Sequence, residues 1–307
     1  MAFTAADVKN LREATGVGMM DCKKALEASD GDLNRAIEWL REKGLAAAQK
    51  KAGRVAAEGM AYAAVINNIG VLVEVNAESD FVAKNDLFVD YVMGVAAVVA
   101  DKAPADLDAL YACQYPGSDK TVLDMQNDKV LVIGENIKVR RFVRYDTGLS
   151  VPYVHMGGRI AVLVNLDVDP AFGDNAEVIE LGKDLAMQVA ALNPTFMDKC
   201  EVSEDFVKEE MKVRLAQAKE DPKNAGKPDA IIEKIVMGGL SKYYKDICLL
   251  QQPFVKEDKV SVEQHIADIA KKLGTQIKIS RYARFEKGEG IDKKTCDLAS
   301  EVAKLVE

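Results

Sequence analysis

The residues Glu78-Ser79-Asp80-Phe81-Val82 set a carboxylate beside an aromatic ring, and this pairing is the most distinctive chemistry in the 307-residue chain. It does not resemble bond-making machinery. A charge and a ring offered together suit insertion into the cleft of another protein, provided both are held in a fixed pose. The flanking sequence supplies the means. Gly70-Val71-Leu72-Val73-Glu74-Val75-Asn76 alternates and is rich in valine, which predicts a half-buried strand, and the polar residues from Asn76 to Asp80 end it. Beyond the pair, Val82, Val89, Val92, Met93 and Ala96 recur at helical spacing, with Asn85 or Asp86 placed to cap the helix. Asp80 and Phe81 are therefore expected on a short turn fixed at both ends.

The chemistry that is missing narrows the function. No Gly-x-x-x-x-Gly-Lys-Ser/Thr phosphate loop occurs, and Gly16-Val17-Gly18-Met19-Met20-Asp21 opens like a dinucleotide fingerprint without its third glycine or a preceding strand. There is no Gly-x-Ser-x-Gly and no His-Glu-x-x-His, and the carboxylates are scattered along solvated helix faces. The only histidines, His155 and His265, lie too far apart in sequence to suggest a metal site. The five cysteines are dispersed, with no Cys-x-x-Cys pair, and read as reduced cytosolic thiols. No catalytic residue, metal or cofactor is expected. A net charge of −8 argues against direct nucleic-acid binding, and no run of about 20 apolar residues is present to span a membrane. Because Met1-Ala2-Phe3-Thr4 leads straight into a helix, a cytoplasmic protein of bacterial type is expected.

The elements that carry these residues predict an α+β chain in several parts. Residues 1–44 read as a three-helix module. Thr4 and Asp7 form a capping box ahead of Val8, Leu11 and Ala14; Met20 to Ala28 forms the second helix; Leu33, Ala36, Ile37 and Leu40 stripe the third, which Gly44 ends. Residues 45–58, alanine-rich and basic at first, read as a helical linker. Residues 59–149 form a first α+β subdomain, and residues 150–196 with 251–288 form its duplicate. Gly134-Glu-Asn-Ile-Lys-Val-Arg-Arg-Phe-Val-Arg-Tyr-Asp-Thr-Gly148 recurs 140 residues on, from Gly274 to Gly288, and Val71-Leu72-Val73 recurs 91 residues on as Val162-Leu163-Val164. The difference between the shifts requires an insertion. Residues 197–250 supply it as an antiparallel helical hairpin with narrow apolar seams, suited to pairing within itself or with another protomer. Residues 289–307 end the chain in a helix carrying Leu298, Val302 and Leu305.

Two motifs give this organisation a family. Ser79-Asp80-Phe81-Val82 resembles the Thr-Asp-Phe-Val of the elongation factor Ts family, differing only by a lost methyl, and Gly18-Met19-Met20-Asp21-Cys22-Lys23-Lys24-Ala25-Leu26 resembles that family's N-terminal motif. The first 44 residues also resemble ubiquitin-associated domains. The resemblance implies a guanine-nucleotide exchange factor, not an enzyme that makes or breaks bonds, whose partner is elongation factor Tu, bound with GDP or free of nucleotide. It further implies that Ser79, Asp80, Phe81 and Val82 displace that partner's magnesium, while Arg12, Met19, Met20, His155 and the terminal helix, with Leu298 and Val302, hold the partner. In the family the hairpin serves assembly, which leaves open a homodimer here.

The duplication offers an internal control. Where the first copy has Glu78-Ser79-Asp80-Phe81-Val82, the second has Asp169-Pro170-Ala171-Phe172-Gly173, so the pair is not required merely to turn a strand into a helix. The structural alternative keeps Phe81 in its own core with Asp80 capping the next helix. Two other functions stay open on sequence: a ribosome-associated or ubiquitin-like-partner binding scaffold without exchange activity, and an α+β enzyme with a pocket between the copies.

Overall fold

The computed structural model describes residues 3–224 and 227–292. Thr147–Tyr153 with Val162–Arg284 makes one compact unit, and the rest of the described chain makes the other. The fold mixes helices with small antiparallel sheets, as the α+β expectation requires.

The first unit begins with α1 (Ala5–Thr15), α2 (Met19–Ala28) and α3 (Leu33–Lys51). The capping box forms as its sequence dictates, with the Thr4 amide donating to Asp7 at 2.7 Å and the Asp7 amide donating back to the Thr4 hydroxyl. Val8, Leu11, Cys22, Ala25, Leu26, Ala36 and Leu40 close a small core. Leu33 and Ile37, expected on the buried stripe of α3, are exposed instead.

Gly44 does not end the third helix. It is buried within α3, where a Cβ would stand 3.4 Å from the Asn127 carbonyl of α6 (Val122–Ile133). The glycine is there for a close helix crossing. An Arg41–Asp124 ion pair at 2.8 Å joins the same two helices.

The carboxyls of Asp21 and Asp124 are both held below the ordinary carboxylate value of 3.8. For Asp21 the hydrogen bond from Lys43 does most of this; for Asp124 burial pushes upward but Arg41 and Thr121 more than reverse it. Their contribution is present above the unfolded value and disappears as the pH falls through the depressed folded values. Acidification below 3.8 is expected to loosen α3 from α2 and α6. Fluorescence of the single tryptophan, Trp39, at the edge of the small core should follow the change, and Asp124→Asn should flatten its pH dependence.

After α3 come β1 (Glu58–Ile66), β2 (Ile69–Ala77), α4 (Asp86–Lys102), the short α5 (Leu107–Ala112), α6 and β3 (Lys138–Tyr145). The strands form an antiparallel sheet in the order β1-β2-β3, with Glu58 opposite Ala77 and Asn76 opposite Lys138. One face of β2 sends Val71, Val73, Val75 and Ala77 into a core with Phe88, Tyr91, Val92 and Val95 of α4. Burying each large side chain contributes roughly 1.5–3 kcal/mol, which makes the end of β2 a firm mount.

The other face carries Glu74, which is fully buried. Its carboxylate accepts from Arg141 Nε at 2.6 Å, Arg140 Nη1 at 3.0 Å, Asn76 Nδ2 at 3.1 Å and the Gly288 amide at 2.8 Å. Gly288 itself has φ +69°, and a Cβ there would fall 2.0 Å from the Ala57 carbonyl oxygen, so only glycine fits.

The second unit contains most of β4 (Leu149–His155) and β5 (Ile160–Val168), then α7 (Ala176–Leu192), α8 (Glu204–Glu220), α9 (Asp229–Ile247), β6 (Pro253–Phe254), β7 (Glu257–Ser261), α10 (Val262–Leu273) and most of β8 (Ile277–Glu286). One sheet runs in the order β4-β5-β8, and β6 pairs with β7 in a small hairpin that the sequence did not announce. Asn165 pins the sheet by donating to the Thr147 carbonyl and accepting from the Ser280 hydroxyl at 2.6 Å.

Helices α8 and α9 pack on each other through Ile232, Val236 and Tyr243, with Arg214 stacked 4.4 Å from the Tyr243 ring. Their base is tied where Thr195 and Phe196 both donate to the Ile247 carbonyl. His265, on α10, stacks on Phe254 at 4.1 Å, in keeping with a structural role. Among the described residues no helix is long and apolar enough to cross a membrane. No group of three or more His, Cys, Asp or Glu among them is placed to hold a metal ion. The expected terminal helix, with Leu298 and Val302, lies outside the described residues.

Candidate functional site

Strand β2 delivers the chain to Glu78, and within four residues it has turned into a 3-10 turn, Val82–Lys84, that runs on to α4. Both ends of this reversal are bonded. On the far side the Asn85 side chain accepts from the Leu87 amide at 2.9 Å and caps α4, while the Asn85 amide donates to the Val82 carbonyl at 2.9 Å. On the near side one carboxylate, Glu135, gathers three donors. Its Oε2 accepts the amides of Glu78 at 3.0 Å and Ser79 at 2.9 Å, and its Oε1 accepts the Ser79 hydroxyl at 2.6 Å.

What the turn presents is the ring. Phe81 is 82% exposed, more than any other large apolar side chain among the described residues, and Asp80 beside it is exposed as well. The alternative in which Phe81 packs into its own core and Asp80 caps the helix does not describe this turn, because Asn85 is the cap. Val82, which the resemblance groups with the magnesium-displacing residues, is not presented on the surface. It is 7% exposed and packs among the valines of β2, so its apolar side chain anchors the turn from inside. The Ser79 hydroxyl is likewise engaged within the protein.

Among the described residues, the other expected contact residues fall on the same unit. Arg12 is exposed in the last turn of α1, and Met19 and Met20 are exposed in the first turn of α2. The Asp21 carboxylate, next to them, accepts from Lys43 Nζ at 2.6 Å, which fixes the start of α2 on α3. His155 ends β4, and its carbonyl accepts from the amides of Gly158 at 3.2 Å and Arg159 at 3.1 Å to close the turn into β5. At the apex Met156 has φ +47° and is 68% exposed. The Gly158 carbonyl accepts from the Ala61 amide at 2.8 Å, which sets this turn against β1, the neighbour of the strand that leads to the Phe81 turn.

With this geometry in view, the comparison with known proteins is direct. A family profile described as Elongation factor TS matches residues 78–289, a span that opens at the Asp80-Phe81 turn. The chain belongs to the elongation factor Ts family. It is 49% identical to elongation factor Ts of Trichlorobacter lovleyi over 309 aligned positions, covering 99% of this chain and 98% of that protein. It is 45% identical to elongation factor Ts of Syntrophotalea carbinolica, with 99% of each covered, and 47% identical to that of Magnetococcus marinus, with 100% of each covered.

Reading the motifs of the elongation factor Ts family directs attention to the ring and its neighbours, and it passes over what holds them. Glu135 and Asn136 were not among the expected site residues, although the Asn136 amide donates to Glu78 Oε1 at 2.6 Å and its side chain donates to the Arg54 carbonyl at 2.8 Å. A signal for Glu135 exists in the repeat, whose second copy has Thr275 at the corresponding place.

Proposed function

We propose that this protein accelerates GDP release from elongation factor Tu by dislodging the magnesium ion of that GTPase and stabilising its nucleotide-free state. The observation that carries the proposal is the exposure of the Phe81 ring on a turn bonded at both ends. A wedge needs both properties. An exposed ring on a loose loop would spend its binding free energy on becoming ordered, whereas a mounted ring delivers it to the partner.

Coupling between two ligands of one protein is reciprocal, so a factor that binds the nucleotide-free GTPase more tightly must weaken GDP to the same degree. A hundredfold weakening corresponds to about 2.7 kcal/mol. Burial of one aromatic ring contributes roughly 1.5–3 kcal/mol, which is of the size required. The magnesium bridging nucleotide phosphate and GTPase is an effective point of attack, because its loss leaves phosphate charge poorly compensated. In this reading Phe81 enters an apolar slot beside that site and Asp80 disturbs the groups holding the ion. Arg12, Met19, Met20 and His155 keep the partner in place, with Leu298 and Val302 of the terminal segment beyond the described residues.

The same reading takes the body as two copies of one subdomain. Several correspondences support it: α10 begins and ends 140 residues after α6, β5 begins and ends 91 residues after β2, and Gly134 and Gly274 both end their helices in the left-handed conformation. Within this layout residues 1–44 dock the partner, 45–58 connect, 59–149 carry the wedge, 150–196 with 251–288 form the second copy, 197–250 is the inserted hairpin through which two protomers can pair, and 289–307 form a C-terminal module.

The test is stopped-flow release of a fluorescent GDP from elongation factor Tu. Release should quicken by orders of magnitude as the protein is added and should saturate. A stable complex with an unchanged release rate would leave a binding scaffold in its place.

A further inference from the structure

We propose that Glu135 is the positioning residue that fixes the pose of Asp80 and Phe81, a role that rests on the exchange reading above. The ring is 82% exposed and finds little packing within its own protein, so its pose must come from the backbone on either side of it. On the helix side that backbone is fixed by the buried Val82 and the Asn85 cap. On the strand side it is fixed by the Glu135 carboxylate, whose two oxygens take the amides of Glu78 and Ser79 and the Ser79 hydroxyl at 3.0, 2.9 and 2.6 Å. Hydrogen bonds to an ionised acceptor are the stronger kind.

The lock is reciprocal. Glu78 returns its own carboxylate to the loop that carries Glu135, accepting the Asn136 amide at 2.6 Å, and Asn136 in turn donates to the Arg54 carbonyl at 2.8 Å. Gly134, with φ +87°, ends α6 and turns the chain so that Glu135 meets the tip.

The repeat separates this role from plain support of the α6–β3 connection. Gly274 ends α10 as Gly134 ends α6, in the same left-handed conformation, yet the residue that follows is Thr275. At the corresponding strand end stands Pro170, which has no amide hydrogen to give, and that turn is bonded instead by Asp169 Oδ1 accepting from the Ala171 amide at 2.9 Å. Where Ala171-Phe172 replaces the Asp-Phe pair, the carboxylate clamp is absent too. In the second copy the helix-to-strand connection is made without it.

A displacement of about 1 Å in a positioned group can lower a rate by up to a hundredfold, so loosening the clamp should show in the turnover of the complex more than in its formation. The experiment measures fluorescent GDP release from elongation factor Tu with full-length Glu135→Ala, Glu135→Thr, Glu135→Gln, Phe81→Ala and the Glu135→Thr/Phe81→Ala double variant. Threonine is included because the second copy accommodates it after the same left-handed glycine, which guards against a variant that fails to fold.

Glu135→Ala and Glu135→Thr are expected to lower the maximal release rate about tenfold, while the half-saturating concentration moves by less than about twofold. Glu135→Gln keeps an acceptor for the two amides and should stay within about threefold of the parent. In the double variant the threonine should cost much less than it does alone, because the ring it would misplace is gone and only Asp80 remains to be misplaced. A merely structural role would add its cost in both backgrounds. Parent-like rates for folded Glu135→Thr, or additive losses in the double variant, overturn the proposal while leaving the exchange reading intact. Parent-like release with Phe81→Ala overturns the proposal and the wedge role of the ring, and a parent protein that does not accelerate release overturns the exchange reading as well.

Discussion

Phe81→Ala is expected to slow stimulated GDP release roughly ten- to a hundredfold, the rate equivalent of losing about 1.5–3 kcal/mol of aromatic burial in the partner. The same change should leave the protein's own melting temperature nearly untouched, because a ring that is 82% exposed contributes little to its own fold. This separation of activity from stability is the signature of a residue used outside its own subunit. Release kinetics and thermal denaturation on the same preparation decide the matter. A large drop in melting temperature, or release at the parent rate, would contradict the assignment. Val82, one residue on, provides the contrast: it is 7% exposed, so its substitution acts through the fold.

The second large effect is expected at Glu74. Its fully buried carboxylate accepts from two arginines, an asparagine and the Gly288 amide, and the partners were placed around a charge. Glu74→Ala removes the charge and strips the Gly288 amide, Arg140 Nη1 and Arg141 Nε of their acceptor, while both guanidinium groups keep bonds to the 286–289 segment. Breaking such a network costs about 3–5 kcal/mol when the remaining charges are fully buried; Arg140 and Arg141 keep 28% and 33% of their side chains exposed, so the lower end applies. A loss of about 3 kcal/mol should lower the melting transition of this unit by roughly 6–12 °C. Glu74→Gln preserves shape and one acceptor and should fall in between. Calorimetry of the three proteins tests the order, and equal transitions would show that the network is not stabilising.

Local signals in the sequence were read well, and contacts across long separations were not. The valine alternation from Gly70 to Asn76 became β2, and the Thr4-Asp7 box and the Asn85 cap formed. Each of these is decided by residues within a turn or a strand of one another. Gly44 misled because a glycine inside a helical pattern reads as a stop, whereas its purpose here is set by α6, more than 80 residues away. Leu33 and Ile37 fit a stripe whose period is right, but the small core closes without them. The two-residue β6 and the charged β7 carry too little alternation to be seen.

At the site, the presented pair was legible and the clamp was not. Asp80 and Phe81 declare themselves by type and by following a strand, and the replacement of the pair by Ala171-Phe172 in the second copy sharpened the reading. Glu135 lies 56 residues from Ser79, and nothing local marks a glutamate that accepts hydrogen bonds from a distant backbone. Only the change to Thr275 in the repeat hints at it.

The bridge between Phe196 and Cys248, with Thr195 and Phe196 both bonded to the Ile247 carbonyl, returns the chain to the place it left before α8 began. Everything from there to the end of α9 is a cassette closed at its neck. Lengthening it by whole turns, trimming it to a few residues, or exchanging it for a foreign segment should carry only the small entropic penalty of a different loop length. The neck makes residues 197–247 the natural place to graft a tag or a second binding module without touching the sheet beneath.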